Sequence, residues 1–179
     1  SAEPQEGRGM PAPGSEGGAV PVLAGHLEGD LVFGTRPSAV ATLVDRQSRF
    51  THVVALPDGY RAETVADALI AYLGRLPAHL RRSLTWDRGL EMAAHERITA
   101  VLDLPVYFCA PHHPWQRGTN ENTNGLLRQY LRKNADLRTF SQEDLNSIAV
   151  RLNDRPRRVL DWDSPRQRED QVLGSSAVG

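Results

Sequence analysis

The chain has 179 residues, 40% of them apolar and 24% charged, which fits one globular domain with at most a short extension. A single cysteine, Cys109, excludes an internal disulfide framework, and no Cys/His cluster has zinc-finger spacing. With 21 basic and 22 acidic residues the formal charge is −1, which excludes a uniformly basic nucleic-acid binder but leaves room for a local basic face. No apolar run reaches about 18 residues and no signal peptide opens the chain, so the expectation is a soluble intracellular protein without a membrane partner.

Residues 1–24 hold five Gly and four Pro and almost no bulky apolar residue before Val20. Such a segment cannot bury enough surface to offset its ordering entropy, so a disordered tail is expected there. From Gly25 the pattern becomes periodic. Leu27–Gly34, Ala39–Asp45 and Phe50–Leu56 read as three strands separated by turn chemistry at Gly34-Thr35-Arg36-Pro37 and Asp45-Arg46-Gln47-Ser48. Asp45 and Arg49 flank the second turn and read as a local ion pair or cap. Ala62–Leu76 carries apolar residues at helical spacing, Leu84–Trp86 is a short strand, Glu91–Leu102 a helix and Val106–Cys109 another strand. Pro111 and Pro114 mark a loop. Thr119–Arg132 and Ser141–Asn153 read as helices, the second opened by a capping-box variant of Ser141 with Asp144. Residues from about 164 lack periodicity.

The order β-β-β-α-β-α-β-α-α is the ribonuclease-H-like arrangement: an α/β fold whose five-stranded mixed sheet has its first three strands antiparallel and helices on its flanks. In that fold, metal-binding acids sit on the first strand, after the fourth, and on a late helix. Three carboxylates occupy those places. Asp30 lies inside the first strand, where propensity and desolvation both disfavour it, so a cation or partner is expected to compensate it. An Asp facing solvent from an edge strand is the alternative. Asp87 follows Leu84-Thr85-Trp86, at a strand end before a helix, although Asp-x-Gly is also ordinary turn chemistry. Glu121 opens a helix, where the dipole alone favours an acid, but Asn120, Asn122 and Asn124 around it are donors and acceptors suited to phosphates, bases and metal-bound water. Phosphodiester cleavage, or attack by a 3′-hydroxyl, uses two divalent cations about 3.5–4 Å apart, held by a few carboxylates.

The blocks Gly25-His26-Leu27-Glu28-Gly29-Asp30, Ser83-Leu84-Thr85-Trp86-Asp87-Arg88-Gly89, Tyr107-Phe108-Cys109 and the run from Pro114 to Tyr130 carry a resemblance. From Gly25 to Pro165 the chain resembles the catalytic core of the IS-thirty family of bacterial insertion-sequence transposases, within the retroviral-integrase superfamily. The resemblance implies an Asp-Asp-Glu core in which Asp30, Asp87 and Glu121 are the catalytic, metal-binding carboxylates. It implies Mg²⁺ or Mn²⁺, two ions, and no organic cofactor. It also implies cleavage of element ends and their transfer into target duplex DNA by a homo-oligomer in the bacterial cytoplasm, associated with the nucleoid. Three departures stand out. Leu27 replaces the family's usual Trp, no N-terminal helix-turn-helix region is expected within residues 1–24, and Arg166–Gly179 does not match. The expected organisation is therefore a tail over 1–24, a core over 25–165 and a divergent flexible tail over 166–179. A truncated regulatory or vestigial fragment, or a ribonuclease-H-like nuclease, remain as alternative readings.

Supporting residues follow. Glu121, Asn124, Arg128 and Arg132 are spaced as one helical stripe that would lie along DNA phosphates, with Asn120 beside them. Residues 112–168 carry 11 basic and 7 acidic side chains, a local excess of positive charge. Trp115 and Arg117, in the loop entering that helix, are candidates for base stacking and phosphate contact, with packing under the loop as the alternative for Trp115. Glu28 and His26 share Asp30's strand face and are supporting candidates. Arg88 would contact phosphate or pair with Asp87. His95 would assist at the metal site, or be a surface or capping histidine. Cys109 reads as a buried apolar residue. The Asp154–Arg158 cluster would touch DNA or terminate the last helix.

Overall fold

The computed structural model describes residues 24–86, 92–108 and 118–176, with side chains throughout except at 92, 93, 118–122, 175 and 176. Five strands, β1 (His26–Phe33), β2 (Ala39–Asp45), β3 (Thr51–Ala55), β4 (Ser83–Trp86) and β5 (Val106–Phe108), form one sheet in the order β3-β2-β1-β4-β5. The first three are antiparallel, while β1–β4 and β4–β5 are parallel. The expected mixed sheet is observed, and β1 is its middle strand. Five helices accompany it: α1 (Ala62–Leu73), α2 (Met92–Leu102), α3 (Gly118–Leu127), α4 (Gln142–Asn153) and α5 (Pro165–Ser176).

Alternation along the strands divides the side chains between two faces. One face presents Leu27, Ala41, Leu43, Val54 and Leu84 to α1 and α2, which contribute Val65, Leu69, Leu73 and Ile98. Gly29 points to the same side. A Cβ there would lie 2.1 Å from the Trp86 ring, so only glycine lets the indole lie flat on the central strand. The opposite face presents Val32, Val40 and Val53 to Leu127, Leu131, Leu145 and Leu152 from α3, the chain after it, and α4.

The edge strand β3 is covered by α4 through side chains. Gln142 accepts from the Ala55 N–H at 2.9 Å and donates to the Val53 carbonyl at 2.7 Å. Asn153, at the other end of the helix, accepts from the Thr51 N–H at 2.8 Å and donates to the Thr51 carbonyl at 2.9 Å. Two amides thus satisfy backbone groups that an open edge would leave unpaired. Ser141 caps α4 in a reciprocal box with Asp144, as expected.

Three expectations need correction or closer placement. The helix expected over 119–132 ends at Leu127; beyond it the chain tightens into turns in which Gln129 and Tyr130 donate to the carbonyls three residues back. The flexible tail expected over 166–179 is helical for most of its length, in α5. Its missing periodicity was real, and its start is fixed locally instead. Pro165 occupies the first turn, Ser164 and Gln167 exchange hydrogen bonds, and Arg168 pairs with Asp163 at 3.0 Å. The basic cluster after α4 is dispersed: Arg157 is buried and Asp154 pairs with Arg166 of α5. The expected tail over 1–24 falls outside the described residues but for Ala24, and Cys109 outside them altogether.

Candidate active site

The face of β1 that meets α3 and α4 carries His26, Glu28 and Asp30 before it becomes apolar at Val32. Asp30 is half-buried. Its Oδ1 accepts from the Leu31 N–H at 2.8 Å, and its Oδ2 accepts from the Asn124 side-chain amide at 3.1 Å. Thr42, fully buried on β2 and directly opposite Asp30 in register, brings its hydroxyl to 3.5 Å from both the Asp30 carbonyl and Asn124 Oδ1. The parallel pairing of β1 with β4 runs from His26↔Ser83 to Gly29↔Trp86, so the next residues in sequence on the two strands are Asp30 and Asp87. Asp87 and Arg88 lie outside the described residues, as do Trp115 and Arg117. Glu121 and Asn120 are placed by backbone only, on α3.

Glu28 is 3% exposed and meets Arg46 at 3.0 Å. Burial nevertheless pushes its carboxyl up to about 7, outweighing the pull of Arg46 and Arg49 in the other direction. Its Oε2 is buried with no hydrogen-bond partner among the described residues. His26 lies at 2.7 Å from the Ser83 hydroxyl. Burial lowers its pKa, with Arg82 and Arg46 adding to that and Asp45 opposing it. Neither side chain bonds to the Asp30 carboxylate. Asp45 is a cap, accepting from the N–H groups of Gly25, Gln47 and Ser48 at 2.7, 2.8 and 3.1 Å. His95 packs its ring on Phe108 with centroids 5.1 Å apart, and so is neither fully exposed nor a cap.

Of the residues expected on the DNA-facing stripe, Asn124 turns its amide to Asp30. Arg128 donates to the Phe33 carbonyl at 2.7 Å and to the Leu131 carbonyl at 3.3 Å. Arg132 is exposed, but α3 ends before it, so the single helical stripe does not reach that far. Sequence reasoning missed Thr42, although one hydroxyl inside Ala39-Val40-Ala41-Thr42-Leu43-Val44 was a visible signal. Among the described residues, no group of three or more His, Cys, Asp or Glu side chains is gathered closely enough to hold a metal ion. Nor is any helix there long and apolar enough to cross a membrane.

With a carboxylate on the central strand of such a sheet and a late helix reaching back to it, comparison with known proteins is informative. Residues 24–114, half of the chain, match the family model described as integrase core domain, and the chain belongs to that family. Within it, the chain is similar to transposases of bacterial insertion sequences. It is 51% identical over 158 residues to the transposase for insertion sequence element IS1086 of Cupriavidus metallidurans, covering 86% of this chain and 45% of that protein. It is 51% identical over 143 residues to transposase InsI for IS30A of Escherichia coli, covering 80% and 37%. It is 36% identical over 155 residues to the transposase for IS4351 of Bacteroides fragilis, covering 86% and 47%. The likeness to IS-thirty transposases is borne out, and the chain spans less than half the length of these relatives. A chain in the cryoEM structure of the simian T-cell lymphotropic virus intasome in complex with PP2A regulatory subunit B56 gamma superposes with a TM-score of 0.61 at 16% identity. The match covers 82% of this chain and 54% of that one, and it shows the ribonuclease-H-like fold alone.

Proposed function

We propose that this chain is the catalytic core of a metal-dependent DNA transposase, which cleaves the ends of an insertion element and joins them to target duplex DNA. The observation that carries the reading is the hydrogen bond from Asn124 to Asp30, which ties α3 to the central strand 94 residues away in sequence. Glu121 stands three residues before Asn124 on the same helix, and positions three apart share a helix face. The strand register supports Asp87 as Asp30's neighbour. Together these favour Asp30, Asp87 and Glu121 as one carboxylate cluster, and Arg117, Asn120, Arg128, Arg132 and Trp115 are the DNA contacts proposed with it.

The family generally works with divalent metal ions, and the donors fit. Carboxylate oxygens suit hard cations, and Asp30 is half-exposed, with its two oxygens accepting from a backbone N–H and a side-chain amide. Mg²⁺ or Mn²⁺, two ions, would supply activation of the attacking oxygen and neutralisation of charge on the leaving oxygen. The protein's part is to hold the carboxylates of the sheet and of α3 at fixed separation and to bring the DNA phosphate to them with arginines. A homo-oligomer acting on two element ends is the expected working form.

The test is nicking of supercoiled plasmid DNA by the purified chain with Mn²⁺. Metal-dependent nicking that Asp30→Asn and Glu121→Gln each reduce by about 100-fold or more is the expected result. Nicking that is unchanged in both variants would overturn the reading.

A further inference from the structure

We propose that Asn124, braced by Thr42, is a positioning residue that holds the Asp30 carboxylate in one orientation for a divalent cation. This rests on the reading of Asp30 as a metal carboxylate and adds how the protein prepares it.

An aspartate's terminal torsion is broad, so a carboxylate left alone presents its lone pairs over a range of directions. A cation is bound best by oxygens already aimed, and groups that aim ligands commonly contribute about 10–100-fold to metal affinity. Here both oxygens are engaged, Oδ1 by the Leu31 N–H at 2.8 Å and Oδ2 by the Asn124 amide at 3.1 Å. Each carboxylate oxygen has a further lone pair, so neither bond closes the site to a metal. These two donors are uncharged and act through direction.

An asparagine amide has a donor end and an acceptor end, and only the donor end serves a carboxylate. The Asp30 carboxylate selects that end, because it only accepts, and the Thr42 hydroxyl, 3.5 Å from Asn124 Oδ1, stands behind the other end. The same hydroxyl lies 3.5 Å from the Asp30 carbonyl, so it reaches the backbone of the residue whose side chain the amide holds. A hydroxyl with no exposed surface in an otherwise apolar strand is costly unless it has such partners. The arrangement gives Asn124 a task other than phosphate contact, and gives Thr42 one at all.

The experiment is Mn²⁺ titration of the full chain followed by electron paramagnetic resonance of free Mn²⁺, with thermal midpoints recorded metal-free. Wild type, Asp30→Asn, Asn124→Ala and Thr42→Val are compared. Alanine is the best helix former and valine matches threonine in shape, so both variants keep the fold within reach. The expected result is loss of Mn²⁺ uptake in Asp30→Asn, about tenfold weaker binding in Asn124→Ala and about threefold weaker binding in Thr42→Val. A structural role alone would move the metal-free midpoint and leave affinity in place. Wild-type affinity in Asn124→Ala and Thr42→Val, with uptake lost in Asp30→Asn, would overturn the positioning role and leave the metal reading standing. Unchanged binding in Asp30→Asn, or no uptake by wild type, would overturn both.

Discussion

The two faces of the sheet use one set of strands for different ends. Toward α1 and α2, β1 turns Leu27, Gly29 and Leu31, and the facing layer is largely apolar, with the buried His52 bonded to the half-buried Tyr72. Toward α3 and α4, the same strand turns His26, Glu28, Asp30 and only then Val32. The apolar layer fixes where the strand lies, and the other side of that strand can therefore hold carboxylates in place. Within the polar face there is a second contrast. Glu28 is buried against Arg46, whereas Asp30, two residues on, is half-exposed and held by Asn124. Burial raises the first acid, and reachability suits the second to a cation.

Substitutions can break this division. Leu84→Ala removes a fully buried side chain from the α1/α2 layer and should cost about 3–5 kcal/mol, read by urea unfolding. Asp30→Asn should do the reverse: it lowers Mn²⁺-dependent nicking by about 100-fold, while moving the unfolding midpoint little. A large loss of stability in Asp30→Asn would mean that the two faces are not independent.

His52 tests the apolar layer by pH. Burial lowers its pKa from 6.5 to about 4, with Asp45 opposing, and its Nδ1 lies 2.8 Å from the Tyr72 hydroxyl. A base whose folded pKa is depressed contributes stability above its unfolded pKa and loses it as pH falls toward the folded value. Stability should therefore fall between pH 6.5 and 4 by about 2–3 kcal/mol on this account, and His52→Leu should flatten that slope. An unchanged slope in the variant would show that other groups govern the acid limb. The smallest effect is expected from Gly29→Ala, where the added methyl must displace the Trp86 ring. About 1–3 kcal/mol of destabilisation and a shift of tryptophan fluorescence should accompany it. Fluorescence like the wild type's would show that the ring does not lie on that strand.

Much of this was legible in the residues because local chemistry decided it. The β-branched runs between turn residues gave all five strands to within about two residues, and the Ser141 cap located α4. Asp30 and Glu121 stood out because an Asp in an apolar strand and an Asn-rich helix start are locally unfavourable, whereas Asp87 sits in ordinary turn chemistry and was marked by its place after a strand. What the sequence hid was long-range and side-chain specific. Nothing local in Gln142 or Asn153 announces that their amides close the edge of β3, and nothing in Asn124 distinguishes a phosphate contact from a carboxylate support. Helix α5 was missed because it lacks an amphipathic stripe, and Ser164, Gln167 and Asp163 hold it by bonds too short in range to appear as periodicity.

The position of β1 in the middle of the sheet also has a consequence in time. It is the first of the five described strands to leave the ribosome, yet its parallel partner begins 57 residues later and the amide that aims Asp30 comes 94 residues later. Pairings of such span form slowly, because the intervening loop must be closed before any contact rewards it. A nascent chain can therefore build the β1–β3 meander early and remain without an assembled site until α3 has been synthesised and docked. On the proposed reading, chemistry on DNA would wait for nearly the whole core, and a chain stopped part-way would hold Asp30 without the means to aim it.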